Sequence, residues 1–406
     1  MRILLVSEDI PHATLGGLGK HVVTLGNALI EAGHTVDLMG NTVHPPVDKP
    51  GDVAFKGRFL AGLDPTGANW KEDRLGFFNY WRHAYQARRF ARAILAVARD
   101  YDVIHYHGHQ PILANYIPRS VNFVQTRHDQ GSDCLIYTRF HNGEVCRATD
   151  PRACAACATP RPNLLQGALS AWSVRLWRRA VANAFRRHKV IFVSQFLRAN
   201  AVRTLGVLSE TTARIVPHFL DISVMAAALS DDVATATASD ILIVGRIDQA
   251  KGVGTLLETL DPGSRLKARI TVAGDGPQLA ELRQRHEADG VRFLGWTPYK
   301  DVVRLAAGAR LVVVPSLWEE AFGGTTLEAL LLGRPVLALR RGATPELDAY
   351  ARFPRQLRLF DSMAELVAAL SDSAASVPAL QGLGFAGDVR AHLGEIESIY
   401  RQEALH

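Results

Sequence analysis

Short apolar runs that break off into polar or ring-bearing residues recur along this chain, and that rhythm restricts the fold more than any other feature. The first, RILLVSED, is followed by a loop containing Gly16, Gly17 and Gly19. In the next stretch, LGKHVVTLGNALIEAGH, Val22, Leu25 and Leu29 recur at helical spacing and Gly33 supplies a stop. TVDLMG then reads as a second strand, which completes a βαβ unit. YDVIHYHGH, VNFVQTRHD and KVIFVSQF repeat the theme as parallel strands with chemistry at their C-terminal ends. Around RIVPHFLDISVMAAALSDDVATATASD the apolar pattern dissolves into Asp, Ser, Thr and Ala, which predicts a hinge and a domain boundary near residues 218–238. DILIVGRID, ARITVAGDG, VRFLGW, ARLVVVPS and RPVLAL follow as strands, separated by helical stretches such as TLLETL, LAELRQRHEA and GTTLEALLLG. The expectation is α/β: two doubly wound, Rossmann-like domains. They span 1–222 and 238–385, and a helix in 386–406 runs back across their junction.

A length of 406 residues suits two domains, because single cores stop growing before that size. The apolar run at the start is too short for a signal peptide and is broken at once by Glu8 and Asp9, so it reads as a buried strand. No stretch approaches the roughly 18 apolar residues of a spanning helix, so a cytoplasmic protein is expected, at most peripheral to a membrane. Charge is uneven: residues 1–200 carry 25 Lys and Arg against 15 Asp and Glu, a surplus of +10, while the whole chain is only +6. Such an excess can attract nucleic acid, anionic lipid or phosphorylated substrates, or merely solvate a surface; no nucleic-acid partner is expected.

Two segments carry the chemistry. After ILIV come Gly245, Arg246 and, five residues beyond the arginine, Lys251, in and after a strand-to-helix loop. A forked guanidinium, a point-charge ammonium and a helix N-terminus together suit a diphosphate, although two surface cations beside an ordinary loop would look the same. After LVVVPS comes Glu320-Ala321-Phe322-Gly323-Gly324-Thr325-Thr326-Leu327-Glu328. Here two carboxylates, each able to accept from vicinal sugar hydroxyls, bracket a helix start whose free amides face an anion. Ordinary N-terminal helix acids are the plainer alternative.

Taken together, GRIDQAKG, VAGDGP, FLGW and EAFGGTTLEALLLGRPV resemble the retaining glycosyltransferases of family 4, and the N-terminal Gly16-Gly17 and VIHYHGH agree. The resemblance covers most of the chain. It implies the GT-B fold, an acceptor-binding N-terminal domain, and transfer of a hexosyl-type unit from a nucleotide diphosphate sugar to a hydroxyl acceptor. It also implies retention of configuration and no catalytic metal. The acceptor could be a saccharide, a lipid-linked saccharide or a small natural product. Carried over by residue, Arg246 and Lys251 would hold the diphosphate, Glu328 the ribose, and Glu320 the donor sugar. Phe322, Gly323, Gly324 and Thr325 would lie against sugar and phosphate. Gly17 would allow close approach to the phosphate beside Gly16, and Gly245, Gly274, Gly295 and Trp296 would complete the donor region. His107 resembles the family's histidine at the donor sugar, with His105 supporting it; a packed core histidine is the alternative. A nucleotide-sugar 2-epimerase or an inactive sugar-binding relative would share the fold, but an inactive relative would typically have lost Arg246, Lys251 or Glu320. One departure is Pro217-His218-Phe219-Leu220-Asp221, where the family usually has Asn-Gly after the proline. Asp100-Tyr101-Asp102 has the outline of a metal-binding DxD but precedes a strand, and is assigned no metal.

All four cysteines, Cys134, Cys146, Cys154 and Cys157, fall in an insertion at about 129–162. Clustered cysteines without a secretion signal predict one structural zinc ion, with free thiols or a disulfide pair as the alternative. FFNYWRHAYQARRFAR interleaves aromatics with arginines, a pattern suited to an acceptor site or a membrane surface, or to an amphipathic helix packed on its own domain.

Overall fold

In the computed structural model, residues 1–10, 16–43, 54–64, 79–158, 163–230, 240–261, 263–372 and 380–402 are described. The N-terminal sheet contains β1 (Arg2–Val6), β2 (Thr35–Asn41), β3 (Arg58–Leu63), β4 (Val103–His107) and β5 (Phe123–Arg127). A two-stranded hairpin, β6 (Phe140–His141) and β7 (Glu144–Val145), interrupts the series before β8 (Lys189–Phe192) and β9 (Ala213–Ile215) rejoin that sheet. Its order is β3-β2-β1-β4-β5-β8-β9, parallel throughout. The second sheet takes β10 (Ile241–Val244), β11 (Ile270–Ala273), β12 (Arg292–Gly295), β13 (Leu311–Val314), β14 (Val336–Leu339) and β15 (Leu357–Phe360) in the order β12-β11-β10-β13-β14-β15, again parallel.

Successive residues of a strand face opposite sides, and both sides of each sheet are buried. Ile3 and Leu5 pack with α1 (Gly17–Glu31), whereas Leu4 and Val6 face the core shared with α2 (Asn79–Val97). The next helices are α3 (Pro151–Ala158), which packs on α4 (Leu164–Arg187), then α5 (Gln195–Leu205) and α6 (Ile222–Ser230). The second sheet is flanked by α7 (Val253–Thr259), α8 (Leu279–His286), α9 (Tyr299–Gly308), α10 (Gly324–Leu331) and α11 (Met363–Asp372). The last helix, α12 (Val389–Arg401), packs on α1 of the first domain, and Val389, Ile396, Ile399 and Tyr400 join its core.

Of the segment read as a hinge, residues 231–239 lie outside the described residues, while its first half forms α6, which packs on α9 of the second domain, where Arg304 Nε donates to the Ala228 carbonyl at 2.8 Å. ISVMAAALS is apolar, and the helix it packs against belongs to the other domain. Five strands were not read from sequence: β3, the two-residue β6 and β7, the three-residue β9, and β15. RFLAGL is a half-exposed edge with two small residues, and LRLF fully buries only its first residue. The chain crosses between domains twice, and the crossings are tied together: Leu220 N donates to Gly387 O, and Val389 N to Leu220 O, each at 2.8 Å.

Candidate active site

In both sheets the chain order reverses beside the first strand, between β1 and β4 and between β10 and β13. Crevices at such points collect ligands, because adjacent loops leave in opposite directions there. The loops after β10 and β13 meet in a pocket of about 390 Å³. It is lined by Gly245, Arg246, Lys251, Glu320, Gly323, Gly324, Thr325 and Thr326, among others. Asp248 builds the first loop by accepting from the Lys251 amide at 2.9 Å, and its other oxygen holds Arg246 Nε at 2.5 Å. Arg246 is otherwise exposed. Gly252 then turns the chain into α7 at φ +70°, and a Cβ there would lie 2.1 Å from the Pro315 carbonyl. Gly274 sits so close beside the strand ends that its Cβ would meet the Gly245 carbonyl at 1.8 Å.

Lys251 Nζ donates to Glu320 Oε1 at 2.7 Å, and Ser316 Oγ donates to the same oxygen at 2.6 Å. Burial opposes charge on Glu320, but Lys251 and these hydrogen bonds overcome it and hold the carboxyl below its usual range. The α10 start has Gly323 as its cap residue and no side-chain cap, and Gly323, Gly324, Thr325 and Thr326 line the pocket, where helix-start amides suit an anion.

Gly324 also lines a second cleft of about 770 Å³, shared by the two domains, with Gly17, Lys20, His21, His218, Tyr299 and Glu328 on its walls. Lys20 Nζ lies 4.3 Å from the Tyr299 ring centroid. Burial raises the Glu328 carboxyl above its usual range, while Lys20 and the Tyr299 hydroxyl oppose that rise. Apart from its chain neighbours and its own helix backbone, no atom of the described residues lies within 4 Å of where a Gly17 Cβ would be.

His107, fully buried, does not stand alone. Its Nδ1 is 3.0 Å from His128 Nε2, and His128 Nδ1 is 2.7 Å from His218 Nε2. The His21 ring stacks against His218 and Phe219. His105 is held on both nitrogens, by the Tyr400 hydroxyl at 2.6 Å and Thr126 Oγ1 at 2.7 Å. Burial, reinforced for His21, His107 and His128 by their neighbours, lowers the pKa of these rings, His218 to about 4. Nearby, His109 Nδ1 is 2.6 Å from Asp129 Oδ2 and its Nε2 3.1 Å from Asp9 Oδ2. Burial would lower the His109 pKa, but the two carboxylates raise it to about 10. Lys20, His21, His128, His218 and Tyr299 were not singled out from sequence. The one available signal was His218, at the position where the chain departs from the family's usual Asn.

Several expected site residues stay outside both pockets. Gly16 is the exposed cap residue of α1, and Trp296 is largely exposed after the sheet-edge strand β12. Gly274 and Gly295 pair with each other through a 2.8 Å backbone hydrogen bond. Phe322 is buried against His218 and Tyr350. The four-thiolate cluster is not assembled. Among the described residues, the one group with three donor atoms within 4.8 Å of one another is His21, His107 and His128. None of the four cysteines forms a disulfide: Cys154 Sγ accepts from Arg178 at 3.2 Å, Cys157 Sγ lies 3.6 Å from His141 Nδ1, and burial pushes the Cys134 thiol up to about 12. Asp100 ends a 3₁₀ turn, and Asp102 accepts from the Arg2 amide. Of the basic aromatic stretch, Phe77 and Phe78 lie outside the described residues. Tyr80 packs on the core, Arg89 pairs with Asp64, and Arg88 lies over the Tyr116 ring. Trp81 and Tyr85 remain exposed, with Trp172 of α4 5.5 Å from Trp81. No helix among the described residues is long and apolar enough to cross a membrane.

Residues 15–224 match the family described as Glycosyltransferase Family 4, and residues 238–372 match Glycosyl transferases group 1. The glycogen synthase of Mycobacterium tuberculosis is 25% identical over 370 residues, covering 85% of this chain and 80% of that one. Among solved structures, sucrose-phosphate synthase from Thermosynechococcus elongatus superposes with a TM-score of 0.60 at 17% identity, covering 98% of each chain. Anabaena Alr3699/HepE in complex with UDP-glucose gives 0.56 at 17% identity, covering all of this chain and 98% of the other. The chain is therefore a GT-B protein of glycosyltransferase family 4.

Proposed function

We propose that the protein transfers a sugar from a nucleoside diphosphate sugar to a hydroxyl acceptor with retention of configuration. The observation that carries this reading is the pocket joining Arg246, Lys251 and Glu320 to the uncapped start of α10. Arg246, Lys251 and the amides are arranged to take a diphosphate, Glu320 its sugar, and Glu328 in the adjoining cleft the ribose. The acceptor oxygen forms a bond to the anomeric carbon as the bond from that carbon to the phosphate oxygen breaks. The acceptor's proton passes to the departing phosphate, whose growing charge the two cations stabilise. None of these steps needs a metal on the diphosphate.

The acceptor approaches along the N-terminal domain, beside His107. The Trp81, Tyr85 and Trp172 face is the surface we assign to an anionic membrane; sedimentation with anionic vesicles should be lost at high salt, and salt-insensitive or absent sedimentation removes that assignment. The central reading is tested with a panel of nucleotide sugars. One donor should raise the melting temperature, since a ligand selective for the folded state stabilises it. Incubated with hydroxyl acceptors, that donor should yield a glycoside of unchanged anomeric configuration by mass spectrometry and NMR. An epimerised or merely hydrolysed donor, with no new glycosidic bond, would overturn the reading.

A further inference from the structure

Sugar transfer as proposed uses one imidazole, yet four crowd together at the domain junction. His107 ends β4, His128 follows β5, His21 lies in the second turn of α1, and His218 lies on the crossing that leaves β9. The His21 centroid is 4.9 Å from that of His128 and 5.6 Å from that of His107. One ring nitrogen from each of the three falls within 4.8 Å of the others. A tetrahedral site with 2.0–2.1 Å bonds puts its nitrogens roughly 3.3 Å apart, so small ring rotations suffice. Two buried nitrogens, His21 Nδ1 and His107 Nε2, have no hydrogen-bond partner. An orphaned buried polar atom is costly, and its presence at a cluster of neutral imidazoles points to a missing ligand.

We propose that His21, His107 and His128 form a binding site for one transition-metal cation of the zinc class. Neutral imidazoles suit zinc, copper, nickel and cobalt, and carry no charge that would favour magnesium or calcium. Ligating histidines are usually oriented through their second nitrogen, and His218 at 2.7 Å from His128 Nδ1 does this. His105, tied to Thr126 and Tyr400, backs the His107 ring at a centroid distance of 4.0 Å. Phe219 stacked on His21 and Phe322 beside His218 supply apolar walls. His21 and His218 line the 770 Å³ cleft, so the fourth position opens toward it. This site is separate from the pair of cations at the diphosphate pocket. If His107 lies at the donor sugar, as the family resemblance implies, metal and sugar compete for one face of the cleft; metal binding itself does not depend on that reading.

Cobalt(II) titration of the full-length protein, followed by visible absorption, reads the site without any transfer assay. One equivalent should bind with d–d bands of nitrogen ligation and no near-ultraviolet thiolate charge transfer, and zinc should displace it. The spectrum should persist in a Cys154→Ser/Cys157→Ser variant, and affinity should fall at least about tenfold in His21→Gln and in His128→Gln, each shown to be folded by circular dichroism. Absence of binding, a thiolate band that disappears with the cysteines, or equal affinity in both histidine variants and the parent overturns the proposal.

Discussion

Lys251 and Glu320 hold each other at 2.7 Å in a largely buried pocket, so neither can be removed without exposing the other as an unpaired charge. Lys251→Ala should therefore cost stability, about 3–5 kcal/mol, as well as rate. Arg246→Ala, whose side chain is mostly exposed, should leave the fold intact and slow transfer roughly a hundred- to thousandfold, the scale of about 2.7–4 kcal/mol for one preorganised donor. Denaturant melts beside initial rates separate the two effects, and near-normal turnover in Arg246→Ala would remove it from the diphosphate site. Glu320→Gln should impair sugar transfer while sparing affinity for the bare nucleoside diphosphate, and Glu328→Ala should weaken that affinity. His109 sets a pH dependence of its own. Its pKa, near 6.5 when unfolded, rises to about 10 in the folded chain. Its stabilisation is complete below about 6.5 and is lost as pH rises through about 10. His109→Ala leaves Asp9 and Asp129 without their shared cation and should cost about 3–5 kcal/mol at neutral pH. The gap between wild type and variant in urea melts should narrow toward pH 10, and a constant gap would contradict the ion-pair origin.

At the scale of elements, the loops after β10 and β13 work because glycine lets them pass at backbone contact. Gly252→Ala places a Cβ against the Pro315 carbonyl and demands φ +70° of an L side chain. It should destabilise by more than about 1 kcal/mol and displace Lys251 from Glu320, lowering donor affinity by calorimetry. Unchanged affinity would show that the loop tolerates the strain. The same loops explain why the residues of this pocket could be grouped from sequence: they lie in two contiguous segments, each pinned to the end of an apolar strand. The histidine group was not, because His21, His107, His128 and His218 come from four separate elements. β3 and β15 escaped because each is a sheet-edge strand buried only in part, and α6, though apolar, was read together with the Asp-, Ser- and Thr-rich stretch that follows it.

At the scale of the molecule, the first domain reaches the second through the start of α5. Glu346 accepts from the Gln195 and Phe196 amides at 2.9 and 2.7 Å, and Ser194 Oγ donates to the Ala321 carbonyl at 2.6 Å. A carboxylate on two free helix amides stabilises the contact by up to about 2 kcal/mol. Glu346→Ala should shift the domains toward an opened arrangement, seen as a larger radius of gyration in X-ray scattering, with circular dichroism unchanged. An identical scattering curve would mean that the other crossings hold the cleft without it. The local alternation of apolar runs with helical stretches determined two parallel sheets, and two strand-to-helix loops determined which residues line the pocket after β10 and β13, because both are properties of neighbouring residues. Only the tertiary structure decided that Lys20 faces Tyr299 and Glu328 across the cleft, that four imidazoles share one junction, and that the cysteines do not. Those contacts join residues up to hundreds of positions apart, and their geometry depends on how two domains and two chain crossings pack, which no local pattern encodes.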